Sequence, residues 1–162
     1  MIEKIERYYL EINSLEDLKT KAVPSESFSI KEEDKNNFAL NKFFYKQIGK
    51  KHEWVDRLIW QDKNWIDYVS NENLKTLILR KEKDIVGYFE LLFDNNECEI
   101  AYLGILEEYI GKGYGGFLLS EAIRLGFTYS RRIWVHTCSL DHPNALENYK
   151  SRGMKIFKTE IF

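Results

Sequence analysis

Cysteine and proline are scarce in this chain, with two of each in 162 residues. Cys98 and Cys138 stand far apart without the paired spacing of metal ligands, so neither a disulfide scaffold nor a metal centre is implied. Buried free thiols in a reducing cytosol are the expected state. Excess charge is also lacking: 24 basic and 26 acidic residues leave a formal net charge of -2, mostly interspersed, which excludes a broad basic face for nucleic acid. No apolar run approaches membrane-spanning length, and the opening MIEKIERYYLEI has no apolar signal core. Repeats and low-complexity tracts are missing too. These absences point to a cytoplasmic protein with no membrane and no nucleic-acid partner.

Core-forming residues are abundant. Hydrophobic residues make up 44% of the chain, with 10 Tyr, 10 Phe and 4 Trp, enough for one compact domain over residues 1–162. Glu6 to Ile12 reads as an opening strand, and Leu15 to Phe28, carrying Pro24 and serines, as a loop leading to a short strand near Phe28–Ile30. Asp34 to Ile48 has apolar residues at turn spacing with Gly49 as a stop, which predicts a helix; Asp62 to Val69 predicts another. Leu74 to Arg80, Asp84 to Phe93 and Glu97 to Leu106 are β-rich runs joined by short polar turns, hence an antiparallel meander. Tyr114, Leu118, Ala122, Leu125 and Tyr129 mark one helix face. Ile133 to Cys138, reached through that helix, can lie parallel to the Glu97 strand. A last helix is predicted over His142–Arg152, with Pro143 near its start and Gly153 at its end, and a strand over Met154–Phe162. The predicted class is α+β, with a mixed, mostly antiparallel sheet.

The segment EYIGKGYGGFLL packs four glycines into six positions, Gly111 to Gly116, between a strand and a helix. Such a turn brings backbone N–H groups and the positive end of a helix dipole onto an anion, with no Cβ in the way. A Walker loop is excluded, because Lys112 is followed by Gly113 instead of Ser or Thr. Gly111, Gly113 and Gly116 satisfy G-x-G-x-x-G literally. However, the loop follows an antiparallel meander, and the next strand ends without the acidic residue that holds a ribose.

The segment LGILEEYIGKGYGGFLL resembles the acetyl-CoA-binding motif of the GNAT N-acetyltransferase family: Gln or Arg, two residues, Gly, one residue, then Gly or Ala. Gly113 and Gly115 take the glycine positions; Ile110 stands where Gln or Arg is usual. DHPNALENYKSRGM is similar to the family's later motif, with Ala145, Tyr149 and Gly153 in place and His142 where Asn is common. The resemblance implies acetyl-CoA as acetyl donor without a metal. It implies a cofactor site at Ile110, Gly111, Lys112, Gly113, Tyr114, Gly115, Gly116 and His142, and a pantetheine arm paired with the backbone of Leu103, Gly104 and Ile105. Gly104 is expected to mark a bulge that splays the two parallel strands.

The implied chemistry is direct attack of an amine on the thioester. Tyr149 is the expected general acid, with a free pKa of about 10, close to that of a thiol. Glu90 in YFELLF and Glu99 in CEIAYL are both odd in core-facing strands. A carboxylate there would have a raised pKa and serve as the base, directly or through water; each alternatively faces solvent. His136 is a further candidate for base or substrate contact, against the alternative of a hydrogen-bonded structural histidine. Acceptor specificity is expected from GKKHEWVDRLIW. Trp54 and Asp56 there suit a cationic amine, and Arg57 suits a substrate carboxylate, unless Asp56 and Arg57 form a surface pair. A small-molecule amine or a peptide-like acceptor is implied. The alternative is a GNAT-like module that binds CoA without turnover. A homodimer through the edge of the final strand is a further expectation.

Overall fold

The computed structural model describes residues 4–52 and 54–162. Its elements run β1 (Glu6–Ile12), β2 (Phe28–Glu32), α1 (Phe38–Gly49), α2 (Asp62–Val69), β3 (Leu74–Lys81), β4 (Asp84–Asp94), β5 (Glu97–Ile105), α3 (Tyr114–Tyr129), β6 (Arg132–Cys138), α4 (Ala145–Ser151) and β7 (Lys155–Ile161). One seven-stranded sheet has the order β2-β3-β4-β5-β6-β1-β7. All its ladders are antiparallel except β5 with β6.

Tight turns dictate the meander from β3 to β5. Asn95 and Asn96 take φ of 49° and 68°, left-handed values that asparagine tolerates and that match the twist of a hairpin. Alternation then divides the side chains. Leu77, Leu79, Phe89, Leu91 and Ile100 point to one face and meet Leu118, Leu119, Ala122 and Ile123 of α3. Ile78 and Tyr88 point to the other and meet Phe44 and Ile48 of α1. Each buried large apolar side chain contributes about 1.5–3 kcal/mol, so α3 on one face and α1 on the other are both firmly anchored.

Two helices start later than their apolar spacing predicts, for one physical reason. Asp34 accepts a hydrogen bond from Asn36 N at 2.8 Å and closes a turn, so α1 begins at Phe38. Asp141 and His142 accept from His142 N and Asn144 N, at 2.8 and 3.0 Å, so the predicted helix over 142–152 begins at Ala145. Short polar side chains captured the backbone donors that a helix would have used.

The order of strands also departs from the chain order. β1 lies inside the sheet, antiparallel to both β6 and β7. β5 and β6 pair only over Glu97–Glu99 with Arg132–Trp134. Beyond that rung β5 runs on to Ile105 and β6 to Cys138 without facing each other, leaving a wedge between them. The bulge in this strand is not at Gly104, which pairs with Tyr88 in register. The register shifts between Glu90 and Leu91, leaving Ala101 without a partner on β5. Gly104 answers a different need, since a Cβ there would stand 2.8 Å from Ile48 Cγ2 of α1.

Candidate active site

The wedge opens into a cleft of about 470 Å³ with three walls. Leu103, Gly104 and Ile105 supply the β5 wall. Ile110, Gly111 and the start of α3 supply the second, and Asp141, His142 and Tyr149 the third. Past Glu99 the inner edge of β5 has no neighbour in the ladder, so its N–H and C=O groups are free to pair with an extended amide-bearing ligand.

At the glycine loop the backbone explains the residue type. Gly111 and Gly113 have φ of +87° and +83°, a conformation that strains any side chain. Space above Gly111 is open, with nothing within 4 Å of where a Cβ would lie. Gly113 is the N-cap of the 16-residue α3, and no side chain caps the helix. Its first-turn N–H groups therefore point into the cleft unpaired, at the positive end of the dipole. The cleft holds a second unfilled demand: Nε and Nη1 of Arg152 are shut away from solvent with no acceptor. Unpaired donors, a half-buried cation whose inner nitrogens lack an acceptor and an open glycine loop fit a phosphorylated ligand, and the wedge fits its extended arm.

Tyr149 lines the cleft at 6% exposure, and burial pushes its phenol well above the usual tyrosine range, so it stays protonated. His142 also lines it; its Nδ1 accepts from Asn144 N at 3.0 Å, which leaves Nε2 as the protonated nitrogen. The His142 ring meets His52 edge-on at 5.3 Å, bringing the end of α1 against the loop before α4. Burial lowers the pKa of His52, favouring its neutral form.

Of the residues expected to hold the cofactor, all but one line this cleft. Lys112 does not; its ammonium stands 5.9 Å from the Tyr109 ring. Trp54 lines the cleft, whereas Asp56, Arg57, Glu90, Glu99 and His136 lie outside it. Lys21, Arg152 and Asp141 line it without having been singled out. Lys21 sits in an unremarkable loop, and Arg152 reads as a solvated helix end.

Arg57 and Glu90 have a different setting from the expected one. Arg57 is neither a surface partner of Asp56 nor a free cation. It is 7% exposed, and its Nη1 lies 3.2 Å from Oε1 of Glu90, which is fully buried. Its guanidinium sits against Tyr68, Tyr102 and Trp60 at 4.0, 4.3 and 4.7 Å. Glu90 also accepts from Tyr68 Oη at 2.7 Å and Asn41 Nδ2 at 2.8 Å. Three donors already engage this carboxylate, so little of it is left for a substrate.

Glu99 contrasts with it. Its side chain takes part in no ion pair among the described residues, and burial raises its pKa. It stands on the last rung before β5 and β6 part, paired with Trp134. Beyond it an aromatic strip continues: Trp134 to His136 at 6.4 Å, His136 to Tyr9 at 5.7 Å and Tyr9 to Phe157 at 6.1 Å. Burial pushes the Cys98 thiol up to about 12, so Cys98 is no nucleophile. Among the described residues no three His, Cys, Asp or Glu side chains converge as metal ligands would, and no helix is long and apolar enough to cross a membrane.

Comparison with known proteins agrees with this geometry. The family model described as Acetyltransferase (GNAT) family matches residues 30–154. No curated protein matches the chain. Among solved structures, a GCN5-related N-acetyltransferase from Sphaerobacter thermophilus superposes with a TM-score of 0.75 at 14% identity, covering 97% of this chain and 50% of that one. One from Kribbella flavida gives 0.69 at 14% identity, covering 96% and 56%. The chain thus spans about half the length of each. An aminoglycoside acetyltransferase from an uncultured soil metagenomic sample, solved with sisomicin, gives 0.65 at 14% identity, covering 78% and 87%. At such identities the structures establish a shared fold. The family match covers most of the chain, from β2 to the end of α4, and includes the glycine loop and the splayed strands. The chain belongs to the GNAT family of acetyltransferases.

Proposed function

We propose that this chain transfers an acetyl group from acetyl-CoA to an amine of a small molecule or peptide-like acceptor. The observation that carries the reading is the glycine loop at the uncapped start of α3, opening beside the unpaired edge of β5. Acetyl-CoA supplies an activated thioester carbonyl. The loop N–H groups from Gly111 to Gly116 bind its phosphates, and the backbone of Leu103 to Ile105 aligns its amide arm. Glu99 takes the proton from the attacking amine, through water, because its raised pKa suits a base and it has no competing partner. Carbon–sulfur cleavage leaves a thiolate, which takes its proton from Tyr149. Burial opposes loss of that proton, and the same dry surroundings make the departing thiolate a stronger base.

The acceptor's amine approaches along the strip from Glu99 past Trp134, His136 and Tyr9. Asp56, near enough to His136 for its charge to act on it, attracts a cation there. Trp54 lines the cleft and packs edge-on against Tyr102. The aminoglycoside acetyltransferases among the structural neighbours make polyamines a sensible first set of acceptors. β7 is a free edge that exposes Ile156, Phe157, Ile161 and Phe162, and pairing of two such edges would give a homodimer.

One observation favours a CoA-binding module without turnover: Glu90 is consumed by Arg57. The two readings separate in one experiment. Thermal unfolding with acetyl-CoA, CoA, NAD and ATP in parallel is followed by an amine screen that measures release of free CoA thiol. Stabilisation by acetyl-CoA and CoA alone is expected, by about 2.7 kcal/mol at a hundredfold excess over Kd. Thiol release with any amine supports the enzyme. Stabilisation without release across the screen favours the module, and no stabilisation by CoA refutes both.

A further inference from the structure

Lys21 lies ahead of the stretch that the family model matches, residues 30–154, yet it lines the cleft. Its place is set by its own backbone. Lys21 N donates to Ser120 Oγ of α3 at 2.9 Å, and Ser120 is fully buried. Lys19 N donates to the carbonyl of Arg152 at 2.9 Å. The carbonyl of Asp17 rests against Gly153, only 2.1 Å from where a Cβ would be. Segment 17–21 is therefore fastened across the start of α3 and the end of α4.

From that anchor the side chain runs along the helix start. Its Cδ lies 2.6 Å from the Cβ position of Gly116, and its ammonium 3.1 Å from that of Gly113. Arg152 Nη1 lies 2.8 Å from the same point on Gly116. Two cations thus converge on the positive end of a helix dipole, where an isolated cation is unfavourable. Among the described residues neither forms an ion pair, and two buried nitrogens of Arg152 have no acceptor. Cation, cation and dipole repel one another unless an anion lies between them.

We propose that Lys21 and Arg152 form a phosphate-binding pair of this chain's own, which holds a phosphate of the acetyl carrier together with the loop N–H groups. The proposal rests on the acetyl-CoA reading above. The phosphate is either the 3′-phosphate of the ribose or the diphosphate, and both offer the same charged oxygens to a lysine and an arginine. Segment 17–21 then acts as a strap that adds charge where Ile110 replaces the usual polar residue.

The test is calorimetric titration of CoA and of dephospho-CoA, which lacks the 3′-phosphate, into wild type, Lys21→Met and Lys21→Arg. Lys21 is exposed, so its replacement does not threaten folding. Lys21→Met is expected to bind CoA about tenfold more weakly, with a shallower dependence on salt. Lys21→Arg is expected to restore most of the loss. A deficit seen with CoA and not with dephospho-CoA assigns the pair to the 3′-phosphate; an equal deficit assigns it to the diphosphate. Unchanged CoA affinity and salt slope in both Lys21→Met and a folded Lys21→Met/Arg152→Met variant overturns the proposal alone. A wild-type chain that binds neither ligand overturns the acetyl-CoA reading with it.

Discussion

Two polar clusters flank the wedge, and they differ in whether their charges are paired. Around Glu90, Asn41, Tyr68 and Arg57 all donate to one carboxylate, and aromatic rings cover the guanidinium. Around Gly113, helix N–H groups have no cap and Arg152 has no acceptor. The first cluster pairs its buried charges, whereas the second leaves a half-buried cation without a counter-charge. Burial alone therefore does not separate a functional site from a structural one. Neutral buried atoms such as Asn41 Oδ1 and Trp65 Nε1 also go unpaired around Glu90, so what sets the loop apart is a cation without a counter-charge beside open helix N–H groups.

The largest expected effect tests the satisfied side. Arg57→Met leaves Glu90 buried and unpaired, which should lower stability by about 3–5 kcal/mol in urea unfolding. Adding Glu90→Gln should recover much of that loss. A neutral Arg57→Met would mean that the cluster is not structural and would reopen Glu90 as a base.

On the unsatisfied side the effects fall on function. Tyr149→Phe should reduce kcat about 10²–10³-fold while CoA affinity changes little, as steady-state rates and titration calorimetry would register. Gly113→Val, which forces a β-branched residue to a φ of +83°, should weaken CoA binding about a hundredfold. Tight binding by that variant would make the glycines a mere turn. The mildest contrast concerns pH. Turnover should rise with pH through a carboxylate titrating above the ordinary value of about 4.3, because Glu99 must lose its proton to act and burial holds it on. Glu99→Gln should flatten that limb, and the limb's persistence in the variant would assign the base elsewhere.

Much of this was legible in the residues. Short polar turns gave the meander, and the glycine spacing marked the strand-to-helix loop that lines the cleft, because local backbone demands are written locally. Polar partners across the fold were not. Nothing near Glu90 in sequence announces that Arg57, from the loop between α1 and α2, will neutralise it. Lys21 and Arg152 stand far apart in the chain and meet only because β1 and the segment after it pack beside α3 and α4. Strand order was hidden for the same reason: a strand's alternation tells which face is buried, not which neighbour it has.

That strand order bears on how the chain assembles. β1 precedes every other described element, yet its two neighbours, β6 and β7, come after everything except α4. The half of the sheet beyond β5 joins through ladders that connect the two extremes of the described sequence. Such closure has a high contact order and is intrinsically slow. During synthesis β1 must wait, unpaired, until nearly all the rest has emerged. The meander and α3 can consolidate early, whereas β7 gains its only partner among the described strands when β1 docks. Refolding should therefore proceed in two stages. The tryptophans on α2 and its approach, Trp60 and Trp65, report the first stage, and Trp134 on β6 reports the second.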